Sequence, residues 1–221
     1  MTAEKLNEIY KLLYSRFGPQ HWWPGETTFE IIIGAVLTQN TNWTNVEKAV
    51  GNLKSASLLT PEKIHDLDIS RLAELIRPAG YFNIKAKRIK NFMNWLFENY
   101  RGSLENLDNI NTQRLREQLL TVNGIGAETA DSILLYALKR EIFVVDTYTA
   151  RFAIRHHLID PDAGYEQISD LFLSNLPQDI KLFNEYHALI VRLGKEFCKP
   201  NPKCSNCPLE ELPHTIEIDC F

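Results

Sequence analysis

Residues 119–151, LLTVNGIGAETADSILLYALKREIFVVDTYTAR, decide how this chain is read. Leu120, Val122 and Ile125 flank a Gly124-x-Gly126 turn, and a run of small and apolar residues starts near Ala127. Two glycines separated by one apolar residue let the backbone turn tightly with its amides facing outward. Amides at the start of a helix, aided by the helix dipole, make a site for a phosphate. A lone turn of this kind is common in helical joints; Leu119-Leu120-x-Val122 before it and Thr129-Ala130-Asp131 after it make the signal stronger. Further along, Val144-Val145-Asp146-Thr147 places an acid directly after two β-branched residues. Such an aspartate reads either as a helix N-cap or as a carboxylate kept ionised to stabilise a developing positive charge.

Outward from this stretch, apolar residues recur at three- and four-residue spacing almost everywhere. Leu6, Ile9, Tyr10, Leu12 and Leu13 form one such face, and Ile89, Phe92, Met93, Leu96 and Phe97 form another. Strand-like alternation is scarce, with Ile142 to Val145 its best candidate. Breaks at Gly18-Pro19, Pro24-Gly25, Thr60-Pro61, Gly102-Ser103, Asn123-Gly124, Asp160-Pro161 and Leu176-Pro177 divide the chain into about ten helices, with Thr60 and Ser103 as start signals. The expected fold class is all-α.

Composition bounds the function. The 221 residues are 44% hydrophobic and 24% charged, with a net charge of −4, which excludes a disordered chain, a collagen-like chain and a bulk polycation. The longest apolar run, Ile31 to Leu37, is far shorter than the roughly 20 residues a bilayer span needs, so no membrane partner is expected. An N-terminus with acidic residues and helical spacing predicts a cytoplasmic protein. The KAKRIK run from Lys85 to Lys90 holds four basic residues and no acid; a solvated helix face is its ordinary meaning, and DNA contact the sharper one. All four cysteines, Cys198, Cys204, Cys207 and Cys220, crowd the C-terminal end. In a reducing compartment that clustering reads as a metal or iron–sulfur site before it reads as disulfides.

Together these residues resemble the helix-hairpin-helix base-excision DNA glycosylases, the superfamily that includes endonuclease III. Phe29 to Leu53, FEIIIGAVLTQNTNWTNVEKAVGNL, is similar to the family's early helix pair, and Gly80 to Ile89, GYFNIKAKRI, to a further family segment. The resemblance implies two helical domains with a DNA-binding cleft between them. Residues 29–138 would form a helical barrel with the hairpin; residues 1–28 plus 139–221 would form the second domain, carrying Asp146 and the cysteines. It implies that Asp146 is the catalytic aspartate. The amides of Gly124, Gly126 and Thr129 would hold the DNA backbone, and the carbonyls of Leu120, Val122 and Ile125 a monovalent cation. Gln39 would enter the duplex where the damaged base has left.

One departure bears on the chemistry. Bifunctional members carry a lysine two residues after the second hairpin glycine, where this chain has Glu128. A carboxylate cannot form a Schiff base, so the expected enzyme is monofunctional: it flips a base out of double-stranded DNA and hydrolyses the glycosidic bond. Members that remove adenine opposite oxidised guanine carry a glutamate where Gly34 stands here, which favours a base that is already cationic. Trp22, Trp23 and Trp43 suit such a base, since indole faces attract cations by roughly 0.5–2 kcal/mol; core packing is the bland alternative. The pattern WWP…LTQNT…VNGIG-x-E…VVD resembles the type III 3-methyladenine branch, in which Glu128 would line the pocket. Thymine or uracil mismatch repair, and a non-catalytic hairpin module, are the alternatives.

The family spaces its [4Fe–4S] ligands C-x6-C-x2-C-x5-C, whereas this chain reads Cys198-x5-Cys204-x2-Cys207-x12-Cys220. Thiolates suit an iron–sulfur cluster and zinc alike; the resemblance favours the cluster, in a structural C-terminal loop whose Lys199 and Lys203 would meet phosphates. A monomer is expected. His156 and His157 are assigned surface or packing roles.

Overall fold

Nine consecutive residues, Phe29 to Leu37, are buried in one helix. All but Glu30, which pairs with Lys54, are apolar, so the helix has no solvent face and its neighbours must enclose it. In this computed structural model, which describes residues 2–216, that helix is α2 (Thr28–Thr38), capped by the Thr27 side chain on Glu30 N–H. It packs against α3 (Trp43–Ser55), α6 (Phe82–Tyr100), α8 (Ala127–Ser132) and the π-helical turn Ile133–Ala137 that continues α8. Short helices α4 (Pro61–Asp66) and α5 (Ile69–Leu75) pack on α6, and α7 (Thr112–Thr121) on α8. These elements belong to one compact unit, Pro24–Arg140.

A second compact unit joins the N-terminal stretch through Trp23 to the described chain from Glu141 onward. It contains α1 (Thr2–Phe17), α9 (Thr147–Arg155), α10 (Tyr165–Leu173) and α11 (Ile180–Glu196). Helix α11 is its centre, packed against both α1 and α9. Gly194 lets α9 approach: a Cβ there would sit 2.2 Å from the Tyr148 ring. Phe143 stacks on Phe172 with centroids 3.9 Å apart, and the buried Tyr186 hydroxyl donates to the Leu6 carbonyl at 2.9 Å.

The all-helical class holds: no strand occurs among the described residues. The Ile142–Val145 alternation forms none, and its apolar side chains Phe143, Val144 and Val145 are instead buried ahead of α9. Thr60 caps α4 as expected, whereas Ser103 precedes only a 3-10 turn, Glu105–Leu107. No helix among the described residues is long and apolar enough to cross a membrane.

Candidate nucleic-acid site

In the first unit, α7 and α8 form the hairpin arms. The turn between them closes with Ile125 N–H on the Val122 carbonyl at 2.9 Å, and Gly124 has φ +94, a conformation other residues resist. A Cβ on Gly124 would meet the Arg88 side chain at 2.3 Å, so Arg88 lies directly over the turn. Gly126 caps α8 with no side chain of its own, leaving first-turn amides, Thr129 among them, without intrahelical acceptors. Val122 and Ile125 are buried, Leu120 is partly exposed, and Glu128 is exposed on the first turn of α8.

The arms are locked by a buried pair that sequence reading did not assign. Arg116 on α7 grips Asp131 on α8 in a fork, Nε to Oδ1 at 2.6 Å and a terminal nitrogen to Oδ2 at 3.1 Å. Asp131 belongs to the Thr129-Ala130-Asp131 segment that follows the glycine turn, but nothing local marks Arg116 as its partner. Gln39, at the C-cap of α2, reaches the same hairpin: its Nε2 donates to the Gly124 carbonyl at 3.0 Å and to the Thr129 hydroxyl at 2.8 Å, while Arg88 donates to its Oε1.

The KAKRIK run is mostly turned inward. Lys85 is 1% exposed, and its ammonium donates to the carbonyls of Leu37 and Ala79, each at 2.8 Å, and to the Thr41 hydroxyl at 2.6 Å. Burial, with a smaller push from the Arg88 charge, lowers its pKa to about 8. It thereby fixes the turn that carries Gln39 and leads to the half-buried Trp43. Lys90 donates to the Ile64 and His65 carbonyls, so Lys87 alone of the four basic residues is exposed.

In the second unit, Asp146 is the N-cap of α9. Its Oδ1 accepts the Thr149 N–H at 2.7 Å and the Thr149 hydroxyl at 2.9 Å. Its Oδ2 faces Nε2 of His187 on α11 at 3.6 Å. The half-buried Trp22 and Trp23 meet edge to face, centroids 5.3 Å apart. Their segment is strapped to α11: Gln20 N–H donates to Glu185 at 2.7 Å, Arg192 donates to the Phe17 carbonyl at 3.3 Å, and Lys195 sits 5.9 Å from the Trp22 ring centroid. Helix α11, to which sequence reading gave no role, thus serves both the carboxylate and the tryptophan pair.

Cys198, Cys204 and Cys207 line one small pocket with Arg155, Phe197 and Leu209; Cys220 lies outside the described residues. Arg155 organises this loop, donating to the carbonyls of Lys199 (2.6 Å) and Pro200 (3.0 Å) and approaching Cys198 Sγ at 3.5 Å. Burial pushes the Cys207 thiol up to about 11. Among the described residues no three acidic, cysteine or histidine side chains converge as they would on a single metal ion. Lys203 is exposed and Lys199 half-buried. His156 is buried, and burial lowers its pKa to about 4, while His157 contacts the Thr215 hydroxyl at 3.0 Å.

Residues 33–178 match the family model described as HhH-GPD superfamily base excision DNA repair protein. A Methanocaldococcus jannaschii protein carrying the provisional name DNA repair glycosylase is 50% identical over 95% of this chain and 96% of its own. The solved 3-methyladenine DNA glycosylase MagIII of Helicobacter pylori, bound to 1,N6-ethenoadenine, is 31% identical, with a TM-score of 0.76 over 88% of this chain and 97% of that one. A trapped endonuclease III–DNA covalent intermediate shares the fold, with a TM-score of 0.81 at 22% identity over 96% of this chain and 95% of that one. Hairpin, aspartate and these likenesses agree: the chain belongs to the HhH-GPD superfamily of base excision DNA repair proteins, with an endonuclease III-like fold.

Proposed function

We propose that this protein is a monofunctional DNA glycosylase that flips an alkylated purine of the 3-methyladenine type out of double-stranded DNA and hydrolyses its glycosidic bond, leaving an abasic site. The observation that carries the reading is the divided carboxylate of Asp146. Thr149 occupies Oδ1, which fixes the side chain, while Oδ2, 3.6 Å from His187 Nε2, would face the reacting sugar. A carboxylate about 4 Å from an oxocarbenium-like sugar, at an effective dielectric near 20, supplies roughly 4 kcal/mol. That corresponds to about a thousandfold in rate. A cationic base supplies much of the rest by leaving easily, which agrees with Gly34 where an acid would otherwise protonate the purine. Water attacks the sugar carbon, because Glu128 offers no amine for a Schiff base.

Residues 29–138 would carry the phosphate grip through the amides of Gly124, Gly126 and Thr129, with a monovalent cation held by the carbonyls of Leu120, Val122 and Ile125. Residues 1–28 with 139–221 would carry the chemistry. Trp22, Trp23 and Trp43 would recognise the base, Glu128 would line its pocket, Gln39 would fill the gap it leaves, and Lys199 and Lys203 would meet phosphates. The similarity to MagIII supports this choice of base. That Cys198, Cys204 and Cys207 line one pocket supports a [4Fe–4S] cluster, which they would hold together with Cys220. Such a cluster would supply a structural cross-link for the loop that Arg155 holds.

The test is a panel of defined duplexes carrying a methylated purine, 1,N6-ethenoadenine, a thymine or uracil mismatch, or no lesion. Release of the methylated base by the wild type, its loss in Asp146→Asn, and no borohydride-trapped covalent adduct are expected. Release from the mismatches alone, or salt-dependent binding with no release, would overturn the assignment.

A further inference from the structure

Asp146 is approached from two different elements. Thr149 engages Oδ1 from within α9, while His187 comes from α11 with Nε2 3.6 Å from Oδ2. His187 is 4% exposed and its ring lies edge-on to Phe143, centroids 6.3 Å apart. Burial lowers its pKa, and the Asp146 charge only partly opposes this, which favours the neutral imidazole. A neutral ring can direct an N–H at a carboxylate without adding a positive charge. A lysine in the same place would cancel the charge the sugar needs. The distance is just beyond hydrogen-bonding range, and such contacts commonly shorten when substrate closes a site.

We propose that His187 is a positioning residue for Asp146, its Nε2–H turning Oδ2 toward the reacting sugar while Thr149 holds Oδ1. The inference rests on the proposed catalytic role of Asp146. It assigns a function to α11 and requires one ring tautomer, the one protonated at Nε2.

Single-turnover release of methylated base from alkylated DNA tests it. His187→Leu should slow release by roughly 10- to 100-fold, the scale on which a positioned proton donor acts. Affinity for the lesion duplex should stay within about twofold, because the contact is not to DNA. His187→Gln places an amide N–H near the original Nε2 and should recover most of the rate. In the wild type, nitrogen-15 resonances of the labelled imidazole should show a neutral ring protonated at Nε2, shifted by Asp146→Asn. Equal loss in the leucine and glutamine variants, an unchanged rate in His187→Leu, or a ring unprotonated at Nε2 would each overturn the proposal. The last readout stands even if His187→Leu does not fold. Full activity in Asp146→Asn would instead remove the catalytic reading itself; loss there beside a fully active His187→Leu would remove His187 alone.

Discussion

The side-chain amide of Gln39 donates to the carbonyl of Gly124 across 85 positions of sequence, at 3.0 Å. The same nitrogen reaches the Thr129 hydroxyl, so one residue at the end of α2 ties the hairpin turn to the first turn of α8. The role implied by family resemblance, entry into the duplex, draws on that same amide. Insertion therefore requires these bonds to be exchanged for contacts with DNA. Gln39→Ala should lower stability by about 1–3 kcal/mol, the ordinary result of leaving buried partners unmatched, and should weaken binding to undamaged duplex as the turn loosens. Urea unfolding and salt-titrated binding check both effects. An unchanged midpoint with weakened binding only at a flipped site would mean that the brace contributes nothing.

Arg116 and Asp131 form a buried polar link between the hairpin arms, with side chains 9% and 0% exposed. Truncating one member of a buried ion pair commonly costs about 3–5 kcal/mol. Asp131→Ala should shift the denaturation midpoint by that scale. The double variant Arg116→Leu/Asp131→Leu should recover much of the loss, since apolar side chains then replace the whole buried pair. Additive losses would show that the pair does not act as a unit.

Periodicity was enough for the fold class, because α2 is apolar from Ile31 to Leu37 and the other helices carry one apolar face each. The hairpin and Asp146 were legible for the same local reason: a glycine turn and an N-cap are written in consecutive residues. What escaped is long-range. Arg116, Arg155 and His187 act on partners far away in sequence, and nothing in their neighbourhoods marks a buried arginine from an exposed one. The KAKRIK run shows the converse failure. Its charge suggested a surface, yet carbonyl oxygens at helix ends absorb Lys85 and Lys90. Charge counts in sequence cannot register acceptors that only packing supplies.

His156 gives the protein an acid-sensitive core contact. Burial lowers its pKa from 6.5 to about 4, with His214 adding a smaller push. Between those values only the unfolded chain binds the proton, so stability is full above pH 6.5 and falls as pH drops toward 4, by about 1.4 kcal/mol per unit. At pH 5 the loss is about 2 kcal/mol. His156→Phe should flatten this part of the profile while leaving the remaining slope to the other titrating groups. Urea midpoints at pH 7 and pH 5 for both proteins measure the difference; equal slopes would show that the His156 imidazole is protonated in the folded state.

Lys195 already places a cation 5.9 Å from the Trp22 ring centroid. If that ring also receives a methylated purine, the ammonium repels a charged base and spares a neutral one. Two unit charges about 7 Å apart at an effective dielectric near 20 repel by roughly 2 kcal/mol, and solvent at the exposed lysine screens part of this. Lys195→Met keeps much of the aliphatic stem and removes the charge. It should raise the release rate of 3-methyladenine relative to neutral 1,N6-ethenoadenine by about 3- to 10-fold, within the range that such cation–ring energies allow. The ratio is the decisive quantity, because a general loss of tryptophan packing would lower both rates together. A ratio that falls instead would mean that Lys195 aids the cationic base, for instance by neutralising a nearby acid, and would remove Trp22 as the face on which charge is read.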